Sequence, residues 1–160
     1  MEERAIILMG SNRDMDWAKE IAKHLKALNV KYEFRVASAH KTPEKALSIL
    51  KEYEGYPVVY ITVAGRSNAL SAFVDANTIK PVIACPPYSE KFSGVDIFSS
   101  LRVPSGVGLT VTIEPESAAL MAAKIFALKN KTIAENVRAY QLSKKLEVEK
   151  ADEDARKIVE

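Results

Sequence analysis

Apolar residues in this chain occur either in short solid blocks or at every third or fourth position of longer stretches, and the two patterns alternate. Ala5-Ile6-Ile7-Leu8-Met9 is a compact block closed by Gly10, and Arg4 to Met9 therefore reads as a buried strand. Val58 to Val63 is β-branched nearly throughout and predicts a central strand with helices on both faces. Pro81 to Cys85 is a third block, ended by Pro86-Pro87. Lys31 to Ala37 alternates Tyr32, Phe34 and Val36 with Lys31, Glu33 and Arg35, and Leu109 to Ile113 is a short fifth candidate strand.

The intervening stretches have helical spacing. From Asp16 to Asn29, Trp17, Ile21, Leu25 and Leu28 share one side and Lys19, Glu20, Lys23 and Lys26 the other, with Asn29 as a stop signal. Thr42 predicts an N-cap, Pro43 the first helical position and Gly55 the end of a second helix. Further helices are predicted over Asn68 to Asn77, Ser93 to Leu101 and about Glu116 to Leu128, and one long helix from Lys131 onward. Strands alternating with helices at this rhythm predict an α/β fold: a three-layer α/β/α sandwich around a flavodoxin-like parallel sheet of about five strands, with a long C-terminal helix. The last helix has no strand to cover, so it is expected to pack on a neighbouring subunit, and the charged stretch after Lys150 is expected to be a frayed, solvated tail.

Composition narrows the picture. A chain of 160 residues that is 48% hydrophobic can bury one substantial core, so a single domain over 1–160 is expected, with its core at about 4–128 and a helical extension over 131–160. A net charge of only +2, from 23 basic and 21 acidic residues, implies neither a nucleic-acid partner nor attraction to a membrane surface. Cys85, the one cysteine, rules out an internal disulfide framework and a structural zinc site. The start Met1-Glu2-Glu3-Arg4 lacks a signal-peptide pattern, and the chain is expected to be cytoplasmic.

Three polar loops follow the first three strands: Gly10 to Asp14, Ser38 to Lys41 and Gly65 to Asn68. In a parallel sheet all three lie on one edge. Gly10 and Gly65 allow backbone N–H groups close to a ligand, and the helices that follow offer positive ends, a combination suited to phosphate. Ser11, Arg13, Lys41 and Ser67 add side-chain donors, and Asp14 is an acceptor suited to sugar hydroxyls. A small phosphorylated metabolite with a ribose fits this set. Each loop also has a plain reading, because glycine and serine are ordinary turn residues and Asp14 or Thr42 can simply cap a helix.

His40 is the natural acid/base, since imidazole titrates near neutral pH. Its plain alternative is a loop histidine bonded to the backbone. His24, within the first helix, is read as structural or solvent-exposed, and Cys85 as a packing residue. Neither a Gly-x-Gly-x-x-Gly fingerprint nor a Walker-type loop occurs, and two scattered histidines give no metal-ligand spacing. No cofactor and no metal are expected.

Met9-Gly10-Ser11 with Asp14 and Trp17, Ser38-Ala39-His40-Lys41-Thr42-Pro43, Ala64-Gly65-Arg66-Ser67-Asn68, Pro81-Val82-Ile83 and Ser93-Gly94-Val95-Asp96 together resemble the PurE family of purine biosynthesis, from about Ile6 to Leu128. Class I members, mutases of N5-carboxyaminoimidazole ribonucleotide, typically carry Ser-Ala-His-Arg and a Gly-Ala-Gly-Gly-Ala-Ala-His stretch. Lys41, Ala-Gly-Arg-Ser-Asn at 64–68 and Ser99 to Gly106 instead look like class II, the aminoimidazole ribonucleotide (AIR) carboxylases, which use CO2 directly without ATP, metal or biotin. The resemblance implies a ribonucleotide and CO2 as small-molecule partners and His40 as the proton carrier. By motif position it implies Ser11, Asp14, Ser38, Lys41, Gly65 and Ser67 as substrate contacts, with Arg13, Arg66 and Asn68 as possible additions. It also implies a homo-octamer with active sites at subunit junctions. Arg13 stands where the family usually has a small hydroxyl residue, and Ala69 and Ser71 stand where animal sequences have glycines. The class I mutase and a non-catalytic flavodoxin-like nucleotide-binding module are the alternatives.

Overall fold

A computed structural model describes residues 2–158, so Met1 and positions 159 and 160 of the expected extension lie outside the described residues, as does the side chain of Phe92. Five strands, β1 (Arg4–Met9), β2 (Lys31–Val36), β3 (Val58–Val63), β4 (Val82–Ala84) and β5 (Thr110–Val111), form one sheet in the order β2-β1-β3-β4-β5. Every pairing is parallel. β3 is the middle strand and is buried along its whole length, as its β-branched run predicts.

The helices are α1 (Met15–Ala27), α2 (Pro43–Glu52), α3 (Ala69–Ala76), α4 (Phe98–Leu101), α5 (Pro115–Ala127) and α6 (Lys131–Ala155). Side-chain alternation along the strands assigns them to two layers. Ala5, Ile7 and Met9 of β1 and Val59, Ile61 and Val63 of β3 pack with α1 and α5 residues such as Ile21, Leu25, Ala119 and Phe126. Ile6 and Leu8, with Val58 and Tyr60, face the other way onto Ala46, Ile49 and Leu50 of α2 and Leu70 and Val74 of α3. Each inner strand thus contributes to both cores, which is why its sequence is solidly apolar rather than alternating.

Several boundaries differ from the sequence pattern. A 3-10 turn over Asn12–Asp14 precedes α1, and the stretch expected to be one helix over Ser93 to Leu101 divides into a 3-10 segment, Lys91–Ile97, and the short α4. Ser93 and Gly94 have φ of 52° and 75°, a left-handed backbone that no continuous α-helix accommodates. Asn29 does end its helix, with φ of 58°. Thr42 holds the N-cap position of α2, yet its hydroxyl makes no cap bond. It instead accepts from the Ser38 N–H at 2.9 Å, closing the preceding loop.

The long helix anchors its first turns only. Ile133 and Val137 enter the α5 side of the core, and Asn136 donates its amide to the Leu28 carbonyl at 3.3 Å. Every residue from 141 to 158 is exposed. The stretch past Lys150 is helical to Ala155 rather than frayed: Ala151, Glu153 and Ala155 favour helix, and Arg156 pairs with Asp152 across one turn. No described helix is long and apolar enough to cross a membrane.

A polar clamp locks the edge strand to the helix behind it. Arg35 of β2 donates to Glu52 at 2.8 Å and to the Tyr53 hydroxyl at 2.7 Å, and Tyr53 donates to Glu33. Burial first, then the Glu33 bond, push the Tyr53 hydroxyl up to about 12. The folded state therefore holds this proton more tightly than the unfolded chain. The stabilisation is complete below the unfolded pKa near ~10 and is lost as pH rises through the folded value. Tyr53→Phe should lower stability by about 1–2 kcal/mol and blunt the alkaline fall in melting temperature. A variant with the wild-type melting temperature and alkaline profile would remove the clamp.

Candidate active site

Parallel pairing brings the carboxyl ends of β1, β2, β3 and β4 to one edge. In a sheet of order 2-1-3-4-5 the chain leaves β1 and β3 in opposite directions, and the crevice between them is the expected ligand site. A cleft of about 780 Å3 lies there, lined by all three predicted loops. Its volume is within the ~300–1,000 Å3 usual for small-molecule sites.

Gly10 forms the floor of the cleft at the β1/β3 junction. Its N–H donates to the Val63 carbonyl at 2.9 Å, and a Cβ at this position would stand 3.2 Å from that of Ala64. Any larger residue here requires the Ala64 methyl at β3's exit to give way by a few tenths of an ångström. Asp14 Oδ2 accepts from the Ser11 N–H at 2.9 Å and the Ser11 hydroxyl at 3.1 Å, and the Ser11 hydroxyl accepts from the Arg13 N–H at 3.3 Å. Asp14 thus folds back on its own loop, with one carboxylate oxygen engaged by Ser11.

The second loop is a closed turn. Ser38 accepts the Lys41 N–H on its hydroxyl at 3.2 Å, and its carbonyl accepts the Thr42 N–H at 2.9 Å. His40 sits at the exposed tip of this turn and lines the cleft with Ser38, Ala39 and Lys41. The bonds of Ser38 with Lys41 and Thr42 close the turn that carries His40 just before α2 begins at Pro43.

The third loop contributes Gly65, Arg66 and Ser67 to the cleft wall. Asn68 does not reach the cleft. It is 3% exposed, and its side chain donates to the Ser100 hydroxyl at 2.9 Å while accepting from Ser71 N–H and hydroxyl at 3.2 and 2.9 Å. The Ser71 hydroxyl in turn lies 2.8 Å from that of Thr62. Asn68 caps α3 and ties the loop to the core, which corrects its reading as a possible substrate contact. Ser71 is buried in the same network, so the hydroxyl that replaces a glycine here is matched by partners.

A fourth loop, which no sequence motif marks, closes the cleft with Pro87, Tyr88, Ser89 and Lys91. Its signal is the apolar block of β4, because a further strand of the same parallel sheet must also end at that edge. Arg13, Lys41, Arg66 and Lys91 surround the cleft, against Asp14 as the one carboxylate among the described lining residues, so its field favours an anion. The helices α1, α2 and α3 all begin at this edge, adding their positive ends.

The remaining candidates lie elsewhere. His24 is half-buried in the last turn of α1 and lines none of the cleft. Cys85 is fully buried, and burial pushes its thiol up to about 11, so it carries little thiolate near neutral pH. Among the described residues, no group of three or more His, Cys, Asp or Glu side chains could hold a metal ion.

Relatives share this architecture. Residues 4–147 match the family described as AIR carboxylase. The chain is 58% identical over 153 residues to a phosphoribosylaminoimidazole carboxylase of Archaeoglobus fulgidus, covering 96% of this chain and 85% of that one. It is 52% identical over 145 residues to the phosphoribosylaminoimidazole carboxylase of Treponema denticola, with coverages of 89% and 91%. The human bifunctional phosphoribosylaminoimidazole carboxylase/phosphoribosylaminoimidazole succinocarboxamide synthetase is 41% identical over 155 residues, which span 96% of this chain and 36% of the human protein. The crystal structure of Treponema denticola PurE superposes with a TM-score of 0.93 at 49% identity, covering 96% of this chain and 98% of that one. With its sheet order, its long terminal helix and nearly its whole length matched, the chain belongs to the AIR carboxylase family.

Proposed function

We propose that the chain is a class II phosphoribosylaminoimidazole carboxylase, which reversibly joins AIR and CO2 to give the 4-carboxylate. The observation that carries this reading is the convergence of His40 with a cationic, phosphate-suited cleft in a chain 58% identical to a carboxylase. Lys41 and Gly65-Arg66-Ser67-Asn68, without a second histidine in that loop, support class II over the mutase.

The chemistry needs few groups. The aminoimidazole ring is an enamine-like carbon nucleophile, and its C4 attacks CO2 to form a carbon–carbon bond while the exocyclic nitrogen takes up positive charge. The carboxylated carbon still bears a hydrogen. His40 removes that proton, the bonding pair returns to the ring, and aromaticity is restored. In reverse, the imidazolium returns the proton to C4 before CO2 leaves. Gly65, Ser67, Ser11, Ser38 and Asp14 hold the ribonucleotide, and Lys41 neutralises a phosphate or the new carboxylate. Arg13 and Arg66 add charge at the rim.

His40→Asn should retain ribonucleotide affinity within about threefold and lose ~10²-fold or more in carboxylation rate. Carboxylation by the variant near the wild-type rate would remove His40 as the base.

We infer further that the chain assembles as a homo-octamer. Leu142, Leu146 and Val148 are 56%, 53% and 70% exposed on the projecting half of α6, a surface suited to a neighbouring copy. Light scattering should return eight times the 17.7 kDa chain mass. A stable species of one chain mass would contradict assembly.

A further inference from the structure

Among the described residues lining the cleft, Arg66 alone carries a side chain on a left-handed backbone, with φ of 61°. That conformation costs energy for any residue with a Cβ, and it persists only where surrounding contacts impose it. The contacts come from a segment thirty residues away in sequence. The Arg66 N–H donates to Asp96 Oδ2 at 3.2 Å. The Ser99 hydroxyl lies 2.8 Å from the Arg66 carbonyl and accepts from the Asn68 N–H at 3.0 Å. It also lies 2.7 Å from the Asp96 carbonyl, so its single proton is shared between two acceptors.

These bonds grip a very short span. Gly65 leaves the rigid end of β3, and Asn68 is fixed by Ser71 and Ser100. Only Arg66 and Ser67 are left to set how the loop turns. The hand of Arg66 therefore decides where the polar groups of Gly65 and Ser67 stand in the cleft, and the amides of those two residues make no hydrogen bond with another described residue. Asp96 does not line the cleft itself but an adjoining cavity that also reaches Gly65 and Arg66.

We propose that Asp96 and Ser99 are positioning residues that hold Arg66 in its left-handed turn, so that Gly65 and Ser67 present their polar groups to the ribonucleotide. The assignment of that ligand rests on the carboxylase reading. Asp96 acts here as an acceptor for one backbone N–H, and Asp96→Asn, which keeps an acceptor oxygen, is accordingly conservative. Asp96→Ala is not. Because the loop binds substrate in ground and transition states alike, its disorder raises KM more than it lowers kcat.

Amide hydrogen exchange on the ligand-free protein tests the positioning without any substrate. Asp96→Ala should raise exchange across 64–70 by roughly tenfold and leave 38–42 unchanged, with Asp96→Asn near wild type. Ser99→Ala, which removes the bridge between the Arg66 carbonyl and the Asn68 N–H, should give the same local signature and stands in if Asp96→Ala does not fold. In parallel, Asp96→Ala should weaken AIR binding by about tenfold in calorimetry and change kcat by less than about threefold. Wild-type exchange over 64–70 in both Asp96→Ala and Ser99→Ala would overturn the proposal, as would an Asp96→Asn variant as impaired as Asp96→Ala. If the wild type fails to bind or carboxylate AIR, the substrate reading falls, and the exchange result still decides whether Asp96 sets the loop.

Discussion

The pairing of β1 between β2 and β3, parallel on both sides and in register from Arg4 to Met9, is the constraint from which the rest of the structure follows. A parallel neighbour cannot be reached by a tight turn, so each strand must be followed by a crossing segment, and the sheet acquires helices on both faces. Every strand then ends at the same edge. Residues as far apart as Ser11, His40, Ser67 and Ser89 meet there without any contact having been encoded between them in sequence. Burial of both faces makes the arrangement stiff: Ile6, Ile7, Leu8, Tyr60 and Ile61 are fully enclosed.

A stiff frame matters for a reaction that asks its enzyme mainly for placement. The carbon nucleophile belongs to the substrate, and on the proposed reading the protein supplies charge, orientation and one proton carrier. Much of the polar chemistry at the sheet edge is accordingly turned inward. Ser38 and Thr42 close the His40 turn, Asp14 holds the Ser11 loop, and Asn68 anchors α3 through Ser71 and Ser100. Such bonds shape the loops before any ligand arrives, which lowers the ordering cost of binding.

The fold was legible because its signals are local and periodic. Solid apolar blocks marked β1, β3 and β4, and the three-to-four spacing of Trp17, Ile21, Leu25 and Leu28 marked α1. Three walls of the cleft followed from the parallel sheet, and the match of motifs to a known family supplied the chemistry. What escaped depends on contacts between distant segments. Thr42 looks like a helix cap in sequence, and its hydroxyl is instead taken by Ser38. Asn68 sits in a polar motif facing a cleft, and only the fold brings Ser100 behind it to bury its amide. The grip of Asp96 on Arg66 likewise crosses from one β/α unit to the next, and no periodicity announces it. Pro86-Pro87 read as punctuation, although the loop it opens forms the fourth wall.

The proposed function stands on one step, carboxylation of the ribonucleotide carbon in this cleft by CO2 itself. The purified chain, incubated with AIR and 13C-labelled bicarbonate without ATP, should place label in the 4-carboxylate of the product, at a rate that rises with dissolved CO2. Turnover of N5-carboxyaminoimidazole ribonucleotide alone, with no labelled product from AIR, would contradict it.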